Sequence, residues 1–393
     1  MGGRLALACA ALVALLAGAA PASAWEAFEG PIHEHTAYSD GEPRTRPADA
    51  FAAVRERGSD FMALTEHSDT LLLPIVTNLD CLDPAVLPAC VIADQVNRVD
   101  SLRKWDAMAE QTDAATDDAF AGIRGFEWTN DRHGHISVLF SHNNTNAKID
   151  LGYLTMDAFW SWLARPATEG GGSDGLAIFN HPGQREISDL VPGGFLDFLP
   201  DIPLPGSRWD DLRYVPAVDH QVVGIELFNG NGDYGDPDGT HPAGSYGLAL
   251  DRGWHVGAIG AEDTHDRSWG VPRKPKTVIL AGELTRSSLR EALEARRFYA
   301  IRRAGVRLGF TANGQPMGSR LAKPETGEAI AFAASTNVPG ATIELVASGG
   351  EVVASGTETL EVSHPYDGER WFFVRVRDAE GASVAYSSPV WLE

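Results

Sequence analysis

The apolar positions of the chain fall into two rhythms. Over residues 47–57, Phe51, Val54 and the alanines around them recur at helical spacing, and Gly58 closes the run. Residues 61–65 are then apolar at nearly every position, as a buried strand requires, and the run stops at Glu66-His67. Residues 70–118 interrupt the alternation and read as an insertion, with a helix expected from about 92 to 111 and a polar stretch at 112–118. Strands follow at 123–126, ending at Glu127, and at 136–140, opened by His133-Gly134-His135. A Trp-rich amphipathic helix is expected at 157–165, and the strand 176–179 runs into Asn180-His181-Pro182. A strand at 222–228 carries Glu226, a short helix spans 246–252, and 256–260 leads into Asp263-Thr264-His265. Strand 277–280 and helix 287–296 close the series. Strand alternating with helix is the pattern of a parallel α/β sheet or barrel, whose chemistry collects at the carboxyl ends of the strands.

Past residue 305 the helical period disappears. Short alternating runs at 306–310, 329–334, 342–346, 351–354, 370–376 and 384–391, separated by Gly, Asn and Asp, predict a small all-β, immunoglobulin-like sandwich. His364-Pro365 is expected in one of its turns. The division that follows is residues 25–304 as one domain, with the insertion at about 70–118, and 305–393 as the second.

Composition changes this picture at three points. A basic start at residues 1–4, an apolar core and Ala22-Ser23-Ala24 read as a cleavable signal peptide over residues 1–24, so an exported protein, periplasmic or extracellular, is expected. The net charge of −22 becomes −23 once Arg4 is removed, a balance that opposes nucleic acid and anionic membrane as partners. Of the three cysteines only Cys81 and Cys90 survive cleavage. In an oxidising compartment they are expected to form a disulfide, which leaves no thiolate for a zinc site.

The candidate chemistry lies at the strand ends. His33-Glu34-His35 follows a short apolar run, and side chains two apart share one face of a strand. With Asp40, His67, Glu127, His135, His181, Asp263 and His265 they form an imidazole and carboxylate set, which suits zinc, manganese or iron. Nine ligands exceed one ion and fit two or three, with Glu127 and Asp263 as candidate bridges. Six of the twelve histidines are in this set, where packing histidines would scatter.

The order of these motifs resembles the polymerase and histidinol phosphatase (PHP) family of metal-dependent phosphoesterases. The residues that carry it are His33-Glu34-His35, Thr65-Glu66-His67, Gly125-Phe126-Glu127, Gly134-His135, His181-Pro182 and Asp263-Thr264-His265. The tail, with Arg375-Val376-Arg377-Asp378 and Ser387-Ser388-Pro389-Val390-Trp391, resembles the exported branch that includes carbaryl hydrolases. The resemblance covers roughly residues 28–300 and implies a distorted (β/α)7 barrel with two or three divalent ions. It implies that His33, His35, Glu127 and Asp263 hold one ion, Glu127, His135 and His181 a second, and Asp40, His67 and His265 a third. Glu127, Asp263 and His265 are then the catalytic candidates, around a metal-activated hydroxide. Glu66 stands where the family has aspartate, so its side chain is longer than the pattern asks.

Around this set, Arg185, Arg267 and Lys274 are candidates for binding a substrate phosphate. Glu66, His133 and His255 are candidates for supporting the ligands. The expected activity is hydrolysis of a small phosphate ester, with a carboxylic or carbamate ester as the alternative and a non-catalytic metal-bound scaffold as the second alternative.

Overall fold

The computed structural model describes residues 25–71, 84–85, 87–149, 152–183, 187, 202 and 204–393; the expected signal peptide, Cys81 and Arg185 lie outside them. The first part of the chain contains β1 (Glu26–Gly30), α1 (Pro47–Glu56), β2 (Phe61–His67), α2 (Leu87–Val96) and α3 (Lys104–Ala115). It continues through β3 (Ala121–Trp128), β4 (Ile136–Leu139), α4 (Met156–Ala164), β5 (Leu176–Phe179), β6 (Val222–Asn229), α5 (Gly244–Arg252) and β7 (Gly257–Ala261). Then come β8 (Lys276–Ala281), α6 (Arg286–Glu294) and β9 (Phe298–Ile301).

Local chemistry explains these boundaries. Pro47 opens α1 where a missing N–H costs nothing, and Asp49 accepts from the Arg46 N–H at 2.8 Å. Thr155 and Thr285 cap α4 and α6 by accepting from the backbone N–H groups of Ala158 and Ser288. The single helix expected at 92–111 is two. Asn97 turns its side-chain amide back onto the carbonyl of Ala93 at 3.0 Å and that of Thr45 at 3.2 Å, and the chain leaves the helix there.

One sheet runs β7-β6-β5-β4-β3-β2. β2 with β3, β5 with β6 and β6 with β7 are parallel, whereas β4 is antiparallel to both its neighbours. That reversal departs from an all-parallel reading. Its cause is the short link from β3 to β4, which carries no crossover helix. Residues 31–35 join the two ends of this sheet. Ala63 and Thr65 of β2 donate to the carbonyls of Pro31 and Glu34, while Asp263 and His35 exchange backbone bonds with His33 and Thr264. The strands are buried on both faces, which is why they read as apolar runs without alternation.

β8 does not extend this sheet, as its place in the series had suggested, and the strand after it, β9, was not foreseen from the pattern. They pair antiparallel with β1 and each other, and β9 continues into the C-terminal part through the strand Ser383–Ser387. That part comprises β10 (Leu308–Ala312), β11 (Ala329–Thr336), β12 (Thr342–Ala347), β13 (Val352–Thr357), β14 (Thr359–Pro365), β15 (Trp371–Arg377), β16 (Ser383–Ser387) and β17 (Val390–Leu392). The resulting sheet runs β1-β8-β9-β16-β15-β12-β13, and a second one contains β10, β11 and β14. Phe310, Phe332, Ile343, Leu345, Phe372 and Val374 fill the space between them. The run at 384–391 is two strands because Ser388-Pro389 interrupts it, and His364 lies in β14 rather than in a turn. Among the described residues no helix is long and apolar enough to cross a membrane.

Candidate metal centre

The sheet register brings the polar strand ends together. His67 and Glu127 are direct neighbours across the β2–β3 pair, and β4, β5, β6 and β7 bring up His135, His181, Glu226 and Asp263 around them. Residues 31–35 lie between β2 and the segment after β7, so His33 and His35 face the same space while Glu34 turns away to accept from the Thr264 N–H. Two candidates carry left-handed backbone, His181 with φ 29° and Asp263 with φ 52°. Side chains held that way cost roughly 1–3 kcal/mol each and persist where the surroundings over-determine them. Gly134, at φ 107°, precedes His135, and a Cβ there would come within 2.8 Å of the Trp209 indole.

Glu127 stands at the centre. It is 1 % exposed, and its Oε1 lies 3.2 Å from His135 Nδ1, 3.3 Å from His181 Nε2 and 3.4 Å from His33 Nε2, while accepting from the Asn180 amide at 2.8 Å. Its Oε2 is 2.7 Å from His67 Nδ1 and 3.7 Å from His35 Nε2. Asp263 Oδ1 lies 3.3 Å from His35 Nε2 and 3.6 Å from His33 Nε2. Asp40 reaches His67 Nε2 at 3.4 Å and His265 Nε2 at 3.2 Å.

Ligand atoms therefore converge in three sets, each within 4.8 Å: His35, Asp40, His67 and His265; His33, His35 and Asp263; His67, Glu127 and His135. The partition differs from the expected one at three points, the first being that Glu127, expected in two sets, belongs to one. His35 and His67 each face two sets, and His181 reaches Glu127 without joining a set.

The donor set fits divalent cations. His33 Nε2 and His35 Nε2 face each other at 3.0 Å, close to the ~3.3 Å separation of two nitrogens about 2.0–2.1 Å from one tetrahedral ion. Glu127 Oε2 is buried and accepts no hydrogen bond, although two imidazoles lie beside it. Such an atom is costly to bury unless a cation completes it, either protonated His67 at 2.7 Å in the ion-free pocket or a metal ion in its place.

The charges agree. Burial and the nearby imidazoles of His265 and His67 push the His35 pKa down to about 3, which leaves it neutral with a free lone pair. Burial opposes protonation of His33 and His67, yet Asp263 and Glu127 beside the first, and Asp40 and Glu127 beside the second, hold both well above the usual value. Burial also opposes ionisation of Glu127, Asp263 and Asp40, and the imidazoles overcome it to hold all three well below the usual carboxylate range.

The remaining candidates are distributed differently. Glu66 accepts from the Thr36 N–H at 3.0 Å and from the hydroxyls of Thr36 and Ser39, so its longer side chain ties residues 36–39 to β2 and stands outside the converging ligand atoms. Burial pushes it up to about 7. His133 lies against Asp210 and the Gly206 carbonyl. His255 is not at the cluster, because it precedes β7 whereas the ligands follow it. It pairs instead with Asp219 and Glu393, 2.7 Å from each. Lys274 donates to Thr264 Oγ1 at 2.8 Å, and Arg267 to the Arg44 carbonyl at 2.7 Å.

Sequence reasoning gave no role to Asn180, Asn229 or Asp131, and left Glu226 open. Asp131 Oδ1 lies 3.2 Å from His135 Nε2, and its Oδ2 receives Lys148 Nζ and Tyr153 Oη, each at 2.9 Å. The four-residue spacing of Asp131 and His135 was the available signal.

No family model matches the chain, and no curated protein matches it. Among solved structures, the chain is similar to a two-domain protein from Bacteroides vulgatus described as containing a predicted PHP-like metal-dependent phosphoesterase. That match has 16% identity and a TM-score of 0.45, and covers 93% of this chain and 96% of the other. PsfC from Pseudomonas syringae matches at 13% identity and a TM-score of 0.36, covering 70% of this chain and 93% of its own. Both likenesses are remote, and the functional reading rests on the side chains.

Proposed function

We propose that the chain is an exported metal-dependent hydrolase of the PHP type, acting on small phosphate esters. In this reading the ring of strands closed by residues 31–35 is the distorted (β/α)7 barrel, residues 305–393 form a sandwich domain that shares one sheet with β1, β8 and β9, and Cys81 and Cys90 form a disulfide outside the cytoplasm. The observation that carries the reading is the meeting, in one pocket, of imidazoles and carboxylates from strands far apart in sequence.

His33, His35, Asp40, His67, Glu127, His135, Asp263 and His265 would hold two or three divalent ions, with His181 beside Glu127. Bound there, such ions supply a nucleophile from water at neutral pH and polarise the oxygen of the scissile bond. The protein's own share is positional. Glu127 belongs to the set with His67 and His135 and reaches His33 of a second set at 3.4 Å, which ties the two together, and the strained backbone at His181 and Asp263 turns their side chains inward. His265 is the most exposed of the set at 38 %, and with Asp40 3.2 Å from its Nε2 it can pass a proton between the pocket and solvent.

A carboxylic or carbamate ester is a second reading, and one observation favours it. The described cations near the pocket already have partners: Lys148 with Asp69 and Asp131, Lys274 with Thr264, Arg267 with the Arg44 carbonyl. Among the described residues, a dianionic phosphate would then depend on the ions alone. The test is turnover of p-nitrophenyl phosphate, its bis ester and p-nitrophenyl carboxylic esters by purified protein, with and without chelator, alongside metal analysis. Chelator-sensitive turnover that His35→Ala and Asp263→Ala abolish is the expected result. Turnover indifferent to chelation, absence of turnover with every substrate, or a variant with full rate and metal content would refute the assignment.

A further inference from the structure

Glu226 is a fully buried carboxylate in the interior of β6, opposite Ile259 of β7, and the reaction has no evident use for it. Both of its oxygens are engaged. Oε1 lies 2.7 Å from His33 Nδ1. Oε2 accepts from the His181 backbone N–H at 2.5 Å and from the Asn229 side-chain amide at 2.8 Å. The same Asn229 amide nitrogen lies 3.1 Å from Asp263 Oδ2. One carboxylate thus touches His33 and His181 and reaches Asp263 through one intermediary. Two of these three residues are the ones with left-handed backbone.

The tautomer of His33 follows from this arrangement. An ionised carboxylate only accepts, so the ring nitrogen 2.7 Å from Oε1 must carry a proton. In the neutral imidazole the other nitrogen is then bare. That nitrogen, Nε2, is the one facing His35 Nε2 at 3.0 Å, Glu127 Oε1 at 3.4 Å and Asp263 Oδ1 at 3.6 Å.

We infer that Glu226 is a positioning residue for the metal centre: it holds His33 in the Nδ1–H form with Nε2 presented to the pocket, and it anchors the strained backbone of His181. The inference rests on the metal reading above and assigns to β6 a part in it. A glutamine keeps the shape and exposes the logic. The backbone N–H of His181 can only donate, and the Asn229 NH2 is kept facing this way by its second acceptor, Asp263 Oδ2, so the glutamine carbonyl must turn to them. Its NH2 then faces His33 Nδ1, which is forced to accept, and the proton moves to Nε2, where it blocks the ligand position.

The experiment compares wild type and Glu226→Gln by competition for zinc against a chromogenic chelator, with circular dichroism to verify folding. Supporting-carboxylate changes typically cost 10–100-fold in metal affinity, and a loss of that size with unchanged secondary structure is expected. In parallel, nitrogen-15 spectra of zinc-loaded wild type, with the His33 signals assigned by a His33→Asn variant, are expected to show His33 protonated at Nδ1. This measurement stands even if the variant does not fold. Full-strength zinc binding by folded Glu226→Gln, or an Nε2–H His33 in the wild type, would overturn the inference alone. Failure of the wild type to bind zinc would overturn the metal reading, and this inference with it.

Discussion

Glu127→Gln separates two roles of the central carboxylate, because they respond to pH in opposite directions. The substitution keeps the volume and can keep the bond from the Asn180 amide, but it removes a buried charge lying 2.7 Å from His67 and 3.4 Å from His33. At an effective dielectric constant of about 20, a unit pair at ~3.4 Å attracts by about 5 kcal/mol before desolvation. Breaking a buried pair from one side typically costs about 3–5 kcal/mol. In metal-free protein this loss applies only while the histidines are charged. The folded pKa values of His33 and His67 lie above the ordinary 6.5, so their pairing stabilises fully below about pH 6.5 and fades as pH rises through the folded values. The carboxyl itself is held low, so its contribution disappears only in strong acid, as pH falls through its depressed pKa. Urea midpoints measured in excess chelator should therefore show a deficit of about 3–5 kcal/mol for the variant near pH 6, shrinking as pH rises through the raised pKa values of the two histidines. With metal present the trend reverses: zinc competes with protons for the same nitrogens, so wild-type affinity rises with pH and the gap to the variant widens. A stability deficit in chelator that is flat with pH, or larger in alkali, would refute the assigned charge pattern.

Two further outcomes follow from the same geometry. Asp131→Asn, which withdraws the carboxylate from His135 Nε2, should weaken one zinc-binding step by about tenfold while leaving circular dichroism unchanged; an unaltered zinc titration would show that Lys148 and Tyr153 hold Asp131 for another purpose. His255→Ala should leave metal content and affinity at the wild-type level and lower stability by roughly 1–3 kcal/mol through loss of its bonds to Asp219 and Glu393; a fall in zinc affinity would contradict its placement away from the pocket.

What the sequence revealed of this centre depended on where each residue sits on its strand. His33, His35, His67 and Glu127 were legible because an apolar run that ends abruptly in an imidazole or carboxylate shows both the strand and the polar mouth. Glu226 has the opposite context: inside the run of β6 a lone acid carries no spacing signal, and its meaning appears only once His33, nearly two hundred residues earlier, is folded against it. His255 shows the converse error, in which nearness along the chain was taken for nearness in space. The five-residue β7 separates it from Asp263 by about 17 Å of extended backbone. The same distinction governs the sheets. Strand content of β8 follows from its apolar run, while β9 was not foreseen, and the partners of both are chosen by long-range packing. They join β1 and β16 because residues 31–35 already occupy the gap between β2 and the end of β7. That closure places the His-x-His pair at the seam, where it contacts the first and last strands of the ring together. A pocket built on a seam brings together residues from both ends of the sequence, which is why the ligand motifs span more than two hundred residues and still face one space.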